Sequence, residues 1–158
     1  MNKKFKNLPF RSGVGIIVLN KKNKVFVAKR IDNSKNFWQM PQGGVEKNED
    51  YLTAAYRELE EETSIKNVEL IQELSGLTTY ELPAHLLGII WNGKYKGQKQ
   101  KWFLVKFLGD DSDINIKTKY PEFSEWRWID VNKITDVVVD FKLNVYKEVK
   151  KKVKKILN

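Results

Sequence analysis

The sequence predicts an α+β fold, an α/β/α sandwich in which a sheet lies between helices, and three observations support it. Short runs rich in β-branched residues recur along the chain. An acidic segment between residues 48 and 63 carries apolar residues at helical spacing, and a lysine-rich segment from residue 140 does the same. Strands that flank one helix and precede another pack as layers around a core.

The first strands are predicted as a hairpin. VGIIVLN at 14–20 and VFVAKR at 25–30 are β-branched runs, and the turn-like KKNK separates them. VELIQELSGLTTYEL at 68–82 is also strand-like, and the segment after it, HLLGIIWNGKYKGQ, is expected to be a long excursion.

Two later segments alternate clearly. In QKQKWFLVKFL, residues 98–108, Trp102 faces one side and Phe103 the other. EFSEWRWIDV, residues 122–131, places both its tryptophans on a single side. We predict two strands and expect their tryptophans in the core rather than on a base-binding surface.

Two helices are predicted. The first should begin with Asn48 as N-cap and run to about Thr63. Glu49 and Asp50 would then lie in its first turn, where carboxylates complement the macrodipole. The second should start near Asp140, and its apolar residues are Leu143, Tyr146, Val149, Val153 and Ile156. A basic amphipathic helix can pack on its own domain or lie on anionic membrane or RNA, and we expect packing.

The first helix carries an acidic face. Glu58, Glu61 and Glu62 are three and four residues apart, so they share one stripe of the helix surface. Clustered carboxylates repel one another, and a hard divalent cation such as Mg²⁺ or Mn²⁺ relieves that repulsion. Because magnesium usually takes few protein carboxylates plus substrate phosphates, the face predicts a phosphate-bearing ligand. A separate stripe is apolar: Leu52, Ala55, Tyr56 and Leu59.

Glutamate runs also occur on many solvated surface helices. Here the run belongs to a longer pattern of a glycine, a glutamate, an Arg-Glu pair and a Glu-Glu pair at fixed intervals. We expect Gly43 and Gly44 to form a phosphate-facing loop, since glycine can take positive φ and lets main chain approach a ligand closely. The residues of the pattern are Gly43, Glu49, Arg57, Glu58, Glu61 and Glu62.

The pattern resembles the signature of the Nudix hydrolases, G-x5-E-x7-R-E-U-x-E-E-x-G-U with U apolar; Leu59 and Ile65 fill its apolar positions. One residue departs from it, since Ser64 stands where the family has its second glycine. That glycine closes the helix in a left-handed conformation, so serine should cost roughly 0.5–1 kcal/mol of local stability. The resemblance implies the Nudix fold, a mixed β-sheet flanked by helices.

The resemblance also implies roles for residues. Glu58, Glu61 and Glu62 would bind metal, Arg57 would orient them, and Gly43 would bring main chain to the metal. One glutamate would help to activate the attacking water, and its identity, which differs within the family, stays open.

Further segments resemble one branch of the family, the bacterial RNA pyrophosphohydrolases and diadenosine polyphosphate hydrolases. They are FRSGVGIIVLN, FWQMPQGG, GQKQKWFLVKF, PEFSEWRWID and VVDFK. The likeness implies that Glu122 brings another carboxylate to the metals and that Arg11 and Arg30 contact phosphates. Phe141 would stack on the first base, opposite Arg30. From the residues alone, Glu122 would be a surface glutamate, and Phe141 could equally be a core residue at a helix start.

The composition limits the alternatives. The chain of 158 residues has no cysteine and one histidine, His85, so disulfides, thiolate chemistry and histidine metal clusters are excluded. We expect one domain over residues 1–158, with the signature at 43–65. The basic start lacks an apolar region and no stretch approaches ~18 apolar residues, so we expect a cytoplasmic protein without a membrane partner. The net charge of +9 favours anionic ligands, although codon bias alone could produce it.

Three functions remain from the sequence. The first is a Mg²⁺- or Mn²⁺-dependent RNA 5′-pyrophosphohydrolase acting on 5′-triphosphorylated RNA. The second, a hydrolase of diadenosine tetraphosphate and other dinucleoside polyphosphates, shares its chemistry. The third, a non-catalytic nucleotide- or RNA-binding module, is disfavoured because a binder gains nothing from mutually repelling carboxylates. The sequence does not determine the oligomeric state or a stimulating partner.

Overall fold

The computed structural model describes residue 5 and residues 7–32 and 35–158. These residues form seven strands and three α-helices. The strands are β1 Phe10–Leu19, β2 Val25–Arg30, β3 Gln42–Gly44, β4 Val68–Glu73, β5 Thr78–Glu81, β6 Gly97–Phe107 and β7 Phe123–Ile129. The helices are α1 Tyr51–Thr63, α2 Ile134–Val137 and α3 Leu143–Leu157.

The strands form a mixed sheet, which confirms the fold class. Its main path runs β4-β6-β1-β2-β7, while β3 pairs with β1 and β5 with β6. β1 and β6 are parallel, with Phe10 opposite Gly97 and Leu19 opposite Lys106. Their neighbours pair antiparallel. Both strands are largely buried because helices cover the two faces of the sheet.

The two faces of the sheet hold separate core clusters. On one face, Trp102 of β6 packs with Tyr146 of α3, their rings edge to face at 6.0 Å. On the other, Phe103 belongs with Ala55 and Leu59 of α1 to the second cluster. The predicted alternation of β6 is therefore confirmed, and α1 and α3 lie on opposite sides of the sheet.

Helix α1 begins later than predicted. Asp50 is the N-cap, since its carboxylate accepts a 2.7 Å hydrogen bond from the backbone N–H of Thr53. Asn48 has a φ of 66° and lies outside the helix, and Glu49 also precedes the first turn. The prediction of Asn48 was wrong because Asn and Asp cap equally well, and the path of the preceding loop decides between them. The end at Thr63 is confirmed.

Gly43 and Gly44 lie in strand β3, so the expectation of a loop was wrong. They pair with Val14 and Gly13 of β1, and neither has a positive φ. Glycine is required here because charged side chains approach the strand closely, as described below, and not because the chain turns.

Helix α3 packs on the sheet through the predicted stripe. Tyr146, Val149 and Val153 are fully buried, and Val145, which the prediction missed, is buried with them. Helix α2 was also missed, since four residues are too few to show a period. No helix in the described part of the chain is long and apolar enough to cross a membrane.

Candidate active site

Arg57, on α1, donates hydrogen bonds to three glutamates at once. Its Nε and Nη2 donate to the two carboxylate oxygens of Glu49 at 2.8 and 2.9 Å. Its Nη1 donates to Glu58 at 2.8 Å and to Glu61 at 3.2 Å. Nη2 also donates to the Gly44 carbonyl at 2.9 Å, which ties β3 to the helix. This geometry is what an orienting residue for the acidic face requires.

The Glu49 carboxylate is held as an anion. The hydrogen bonds from Arg57, and then the one from the backbone N–H of Glu46 at 3.0 Å, lower the pKa of Glu49 to about 2. The same pairing raises the pKa of Arg57 above its usual value. Glu49 therefore fixes the position of the guanidinium group, while Glu58 and Glu61 accept hydrogen bonds from its Nη1.

The Glu58 carboxylate lies against the main chain of Gly43. A Cβ on Gly43 would stand 2.0 Å from Cδ of Glu58, so a larger residue there would displace the carboxylate. Glu58 is 15% exposed, and burial raises its pKa against the opposing effect of Arg57. The contact brings main chain to the acidic face, where Gly43 was predicted to lie.

Glu62 is buried beside another carboxylate, that of Glu58. Its residue is 4% exposed, and neither carboxylate oxygen has a hydrogen-bond partner among the described residues. Burial, followed by the nearby charges of Glu122 and Glu58, raises the pKa of Glu62 well above its usual value. Such a group is destabilising unless a cation or a donor reaches it.

Glu122 joins the acidic face from a distant segment. Its charge acts on both Glu62 and Glu58, although it is far from them in sequence. Oε2 of Glu122 lies 3.9 Å from Nη1 of Arg30, and its carbonyl accepts from the backbone N–H of Ile31 at 2.8 Å. Glu122 is thus electrostatically coupled to two of the three α1 glutamates that the resemblance implied.

These carboxylates, Glu58, Glu61, Glu62 and Glu122, are the residues that could hold a metal. In the described part of the chain, no three acidic or histidine side chains lie close enough together to ligate one metal ion as they stand. Arginines take up three of the four instead, since Arg57 holds Glu58 and Glu61, and Arg30 is near Glu122. An all-oxygen donor set and the two unpaired oxygens of Glu62 nevertheless fit a hard divalent cation.

Arg11, on β1, lies beside the glycine strand. A Cβ on Gly44 would stand 2.1 Å from its Nη2, so the guanidinium is packed on the main chain there. Its Cζ is 5.3 Å from the centre of the Trp91 ring, within cation–π range. Arg11 therefore presents a positive charge next to β3, where a phosphate contact was predicted.

Arg30 and the segment that carries Phe141 are linked through Lys142. Arg30 makes two 2.9 Å hydrogen bonds to Asp32, and its charge acts on Lys142, the residue after Phe141. The half-buried Phe141 ring lies 5.8 Å from the Tyr80 ring. Phe141 also packs against the core, as one of the two sequence interpretations expected, and its stacking on a base stays a prediction.

Sequence reasoning missed Lys142. It is 7% exposed, and burial, then the charge of Arg30, lowers its pKa to about 8. Its Nζ lies 3.5 Å from Oε1 of Gln39, which is longer than an ordinary hydrogen bond. No local pattern identified it, because its burial depends on residues that are distant in the sequence.

A buried polar network beneath the site was also missed. Tyr80 Oη donates to Oε1 of Gln98 at 2.9 Å, and Nε2 of Gln98 reaches the Gly43 carbonyl at 3.4 Å. Next to it, Nε2 of Gln100 donates to Gln42 at 3.1 Å. The network anchors β3 to β5 and β6, and no local sequence signal identifies partners so far apart in the chain.

Ser64 closes α1 in the left-handed conformation expected at that position, with φ 66° and ψ 8°. Its backbone N–H donates to the Glu60 carbonyl at 2.9 Å. Its hydroxyl donates to the Asn115 carbonyl at 2.9 Å, a bond that glycine could not make. This bond offsets part of the predicted cost of the substitution.

Known proteins resemble this chain in sequence and in fold. The model of the NUDIX domain matches residues 9–149. A protein of Pelagibacter ubique (strain HTCC1062) named RNA pyrophosphohydrolase is 78% identical over 152 residues, 96% of each chain. The structure of the E. coli dihydroneopterin triphosphate pyrophosphohydrolase shares the fold, with 20% identity and a TM-score of 0.70 over 89% of this chain and 96% of that one. So does a C. elegans Ap4A hydrolase binary complex, with 17% identity and a TM-score of 0.62 over 90% and 98%.

Proposed function

This chain belongs to the NUDIX family, and we propose that it removes pyrophosphate from the 5′-triphosphate end of RNA. Water would attack either the α- or the β-phosphorus, and the bond between that phosphorus and the oxygen that bridges the two phosphates would break. The products would be 5′-monophosphorylated RNA and pyrophosphate. The name of the relative that is 78% identical supports this substrate. The buried, unpaired carboxylate of Glu62 beside Glu58 and Glu122 is the structural observation on which the proposal rests.

Mg²⁺ or Mn²⁺ is the proposed cofactor, held by Glu58, Glu61, Glu62 and Glu122 with the main chain of Gly43 beside them. When bound, it would neutralise charge on the phosphate oxygens and help a coordinated water to ionise. The choice of a hard cation follows from the oxygen-only donor set, since no cysteine exists and His85 lies outside the acidic face.

The protein side chains would supply position and charge. Arg57 keeps Glu58 and Glu61 on one side of α1 through the anchored pair with Glu49. Arg11 and Arg30 would contact the phosphates, since guanidinium groups can bind phosphate oxygens in pairs. Phe141 would stack on the first base, an interaction worth about 1–3 kcal/mol that tolerates any base.

The test uses a short RNA whose β and γ phosphates carry different labels. Release of both labels together as pyrophosphate, dependent on Mg²⁺ or Mn²⁺, is expected. In a competition at equal concentrations, a strong preference for diadenosine tetraphosphate would instead assign the chain to dinucleoside polyphosphates.

Variants of α1 test the residues that carry the reaction. Glu61→Gln should lower turnover by about 100-fold or more while the fold is kept. Glu60→Gln is the matched control, since Glu60 is exposed on the same helix turn and its side chain makes no hydrogen bond or ion pair with any described residue. Unchanged turnover in Glu61→Gln would remove the assigned mechanism, whereas absence of turnover in the wild type would favour a non-catalytic binding module.

A further inference from the structure

Helix α3 carries a disproportionate share of the positive charge. Six of its 15 residues are lysines and one is a glutamate, which gives the helix +5 of the net +9 of the whole chain. A random spread of the excess charge would place about a tenth of it here. This concentration creates a local positive field that attracts anions.

The apolar side of α3 is fully used by the domain. Tyr146, Val149 and Val153 are inaccessible, and Leu143 and Ile156 pack against the same cluster. A helix that lies in a membrane interface must offer its apolar face to lipid. The centre of that face in α3 is buried in the core, so its lysine side is the larger surface left for a partner.

Three lysines of this side have no partner of their own. Lys147, Lys151 and Lys155 are exposed, four residues apart, and form what we call the lysine row. None of the three makes a hydrogen bond or an ion pair with any residue that the structure describes. Their spacing gives a row about 12 Å long.

The other lysines of α3 are held by the protein. Lys150 and Lys154 donate to Asn132 at 3.2 and 2.8 Å, and Lys152 donates to the Ser75 carbonyl at 2.6 Å. These bonds occupy side chains on both flanks of the helix. The lysine row is therefore the part of the positive surface that is free for a ligand.

The row continues from the candidate active site. Helix α3 begins at Leu143, directly after Phe141 and Lys142. Nζ of Lys142 lies 5.4 Å from the centre of the Tyr80 ring, and Tyr80 is linked through Gln98 to the Gly43 carbonyl, so the start of the helix lies beside the polar network that supports β3. With a rise of 1.5 Å per residue, the row lies roughly 6–18 Å along the helix from that start.

We propose that the lysine row binds the phosphodiester backbone of the RNA body, beyond the nucleotides held in the active site. This inference rests on the proposed function, because the RNA would be the same molecule whose 5′ end is processed. Lysine acts on phosphates as a point charge, so the row would add affinity without sequence preference. A substrate too short to reach the row would gain nothing from it.

The experiment compares two substrates of the full chain: a 5′-triphosphorylated dinucleotide and a 5′-triphosphorylated single strand of about twelve nucleotides, enough to extend past one binding groove. The variant is Lys147→Gln, Lys151→Gln, Lys155→Gln. The matched control, Lys21→Gln, Lys22→Gln, Lys66→Gln, removes the same charge from exposed lysines in the β1–β2 turn and after α1. kcat/KM is measured at several salt concentrations.

For the row variant, we expect kcat/KM on the longer RNA to fall severalfold and the slope of its logarithm against log salt to shrink by about 2. On the dinucleotide the row variant should equal the wild type, which also shows that it folds. The control should match the wild type on both substrates. A row variant that matches the control on the longer RNA, while both release pyrophosphate, would overturn the inference and leave the proposed function intact.

Two further outcomes are distinguishable. Failure of the wild type to release pyrophosphate from either RNA would remove the proposed function and the inference together. Loss of binding to phosphatidylglycerol vesicles in the row variant, with unchanged kinetics on the longer RNA, would overturn the inference in favour of a lipid surface.

Discussion

Glu49 and Arg57 form a two-point ion pair across eight residues, with Nε and Nη2 of the guanidinium 2.8 and 2.9 Å from the two carboxylate oxygens. Glu49 precedes α1 and Arg57 lies in its second turn, so the pair fixes the entry of the chain into the helix. With Glu49 in place, the remaining nitrogen of Arg57 is directed to Glu58 and Glu61. The pair therefore supports both the stability of the loop and the arrangement of the acidic face.

Replacing Glu49 with Gln should make stability less dependent on pH. The pKa of Glu49 falls from 4.5 to about 2 in the fold, so its contribution is present above pH 4.5 and is lost as the pH falls toward 2. In urea titrations, the free energy of unfolding of Glu49→Gln should be lower than that of wild type at pH 7. This difference should disappear as the pH falls from 4.5 toward 2. Glu60→Gln should show no such trend, and a deficit that persists at the lowest pH would contradict the ion pair.

Replacing Glu62 with Gln should stabilise the metal-free protein. The change removes a buried carboxylate that has no partner among described residues, and each kcal/mol gained raises Tm by about 2–4 °C at this chain length. In EDTA, calorimetric melting should therefore give a higher Tm for the variant. Mn²⁺ should raise the Tm of wild type and leave the variant almost unchanged.

The two halves of this prediction check each other. A lower Tm of Glu62→Gln in EDTA would mean that the carboxylate is satisfied in the fold. An equal Mn²⁺ response in both proteins would remove Glu62 from the metal site.

Replacing Gly43 with Ala should impair catalysis more than folding. The new Cβ would meet Cδ of Glu58 at 2.0 Å, so the carboxylate must move by an ångström or more. Displacements of that size cost about 100-fold in rate, which kcat/KM on triphosphorylated RNA would measure. Gly76→Ala, whose φ of 73° strains alanine by about 1 kcal/mol, is the control for stability loss without a change at the acidic face. Equal activities of the two variants would refute the role of Gly43.

Replacing Lys142 with Met should remove a pH-dependent destabilisation. Burial lowers the pKa of Lys142 from 10.5 to about 8, so the unfolded chain binds more protons between these values and wild-type stability rises with pH there. Lys142→Met should be more stable than wild type at pH 7. The difference in their free energies of unfolding should shrink by about 3 kcal/mol between pH 8 and 10.5. Lys151→Met, on the surface, should show a flat difference. A stability difference that does not change with pH would mean that burial does not lower the pKa of Lys142 in the folded protein.

The sequence predicted the elements that are strongly periodic. Strand β2 has the predicted bounds, and the alternation of β6 placed Trp102 and Phe103 on opposite faces correctly. Helix α1 ended at Thr63 as its spacing required. These features depend on local pattern, which a single chain displays directly.

The features that it missed depend on distant contacts. Glu62 was expected on the open acidic face, yet it follows the buried Leu59 by three residues and lies at the edge of the apolar stripe. Lys142 is buried because β2, β5 and the segment around Gln39 converge on it, and no pattern near residue 142 reveals that. The spacing of Glu62 from Leu59 could have indicated that Glu62 is buried. The burial of Lys142 could be recognised only from the fold.

The most direct measurement is calorimetric titration of Mn²⁺ into metal-stripped protein, with a non-hydrolysable nucleoside triphosphate present or absent. We expect wild type and Glu60→Gln to take up Mn²⁺ with the same stoichiometry, and Glu62→Gln to lose at least one of those ions. Absence of uptake by the wild type under both conditions would contradict a carboxylate metal site on α1 and the chemistry assigned to it.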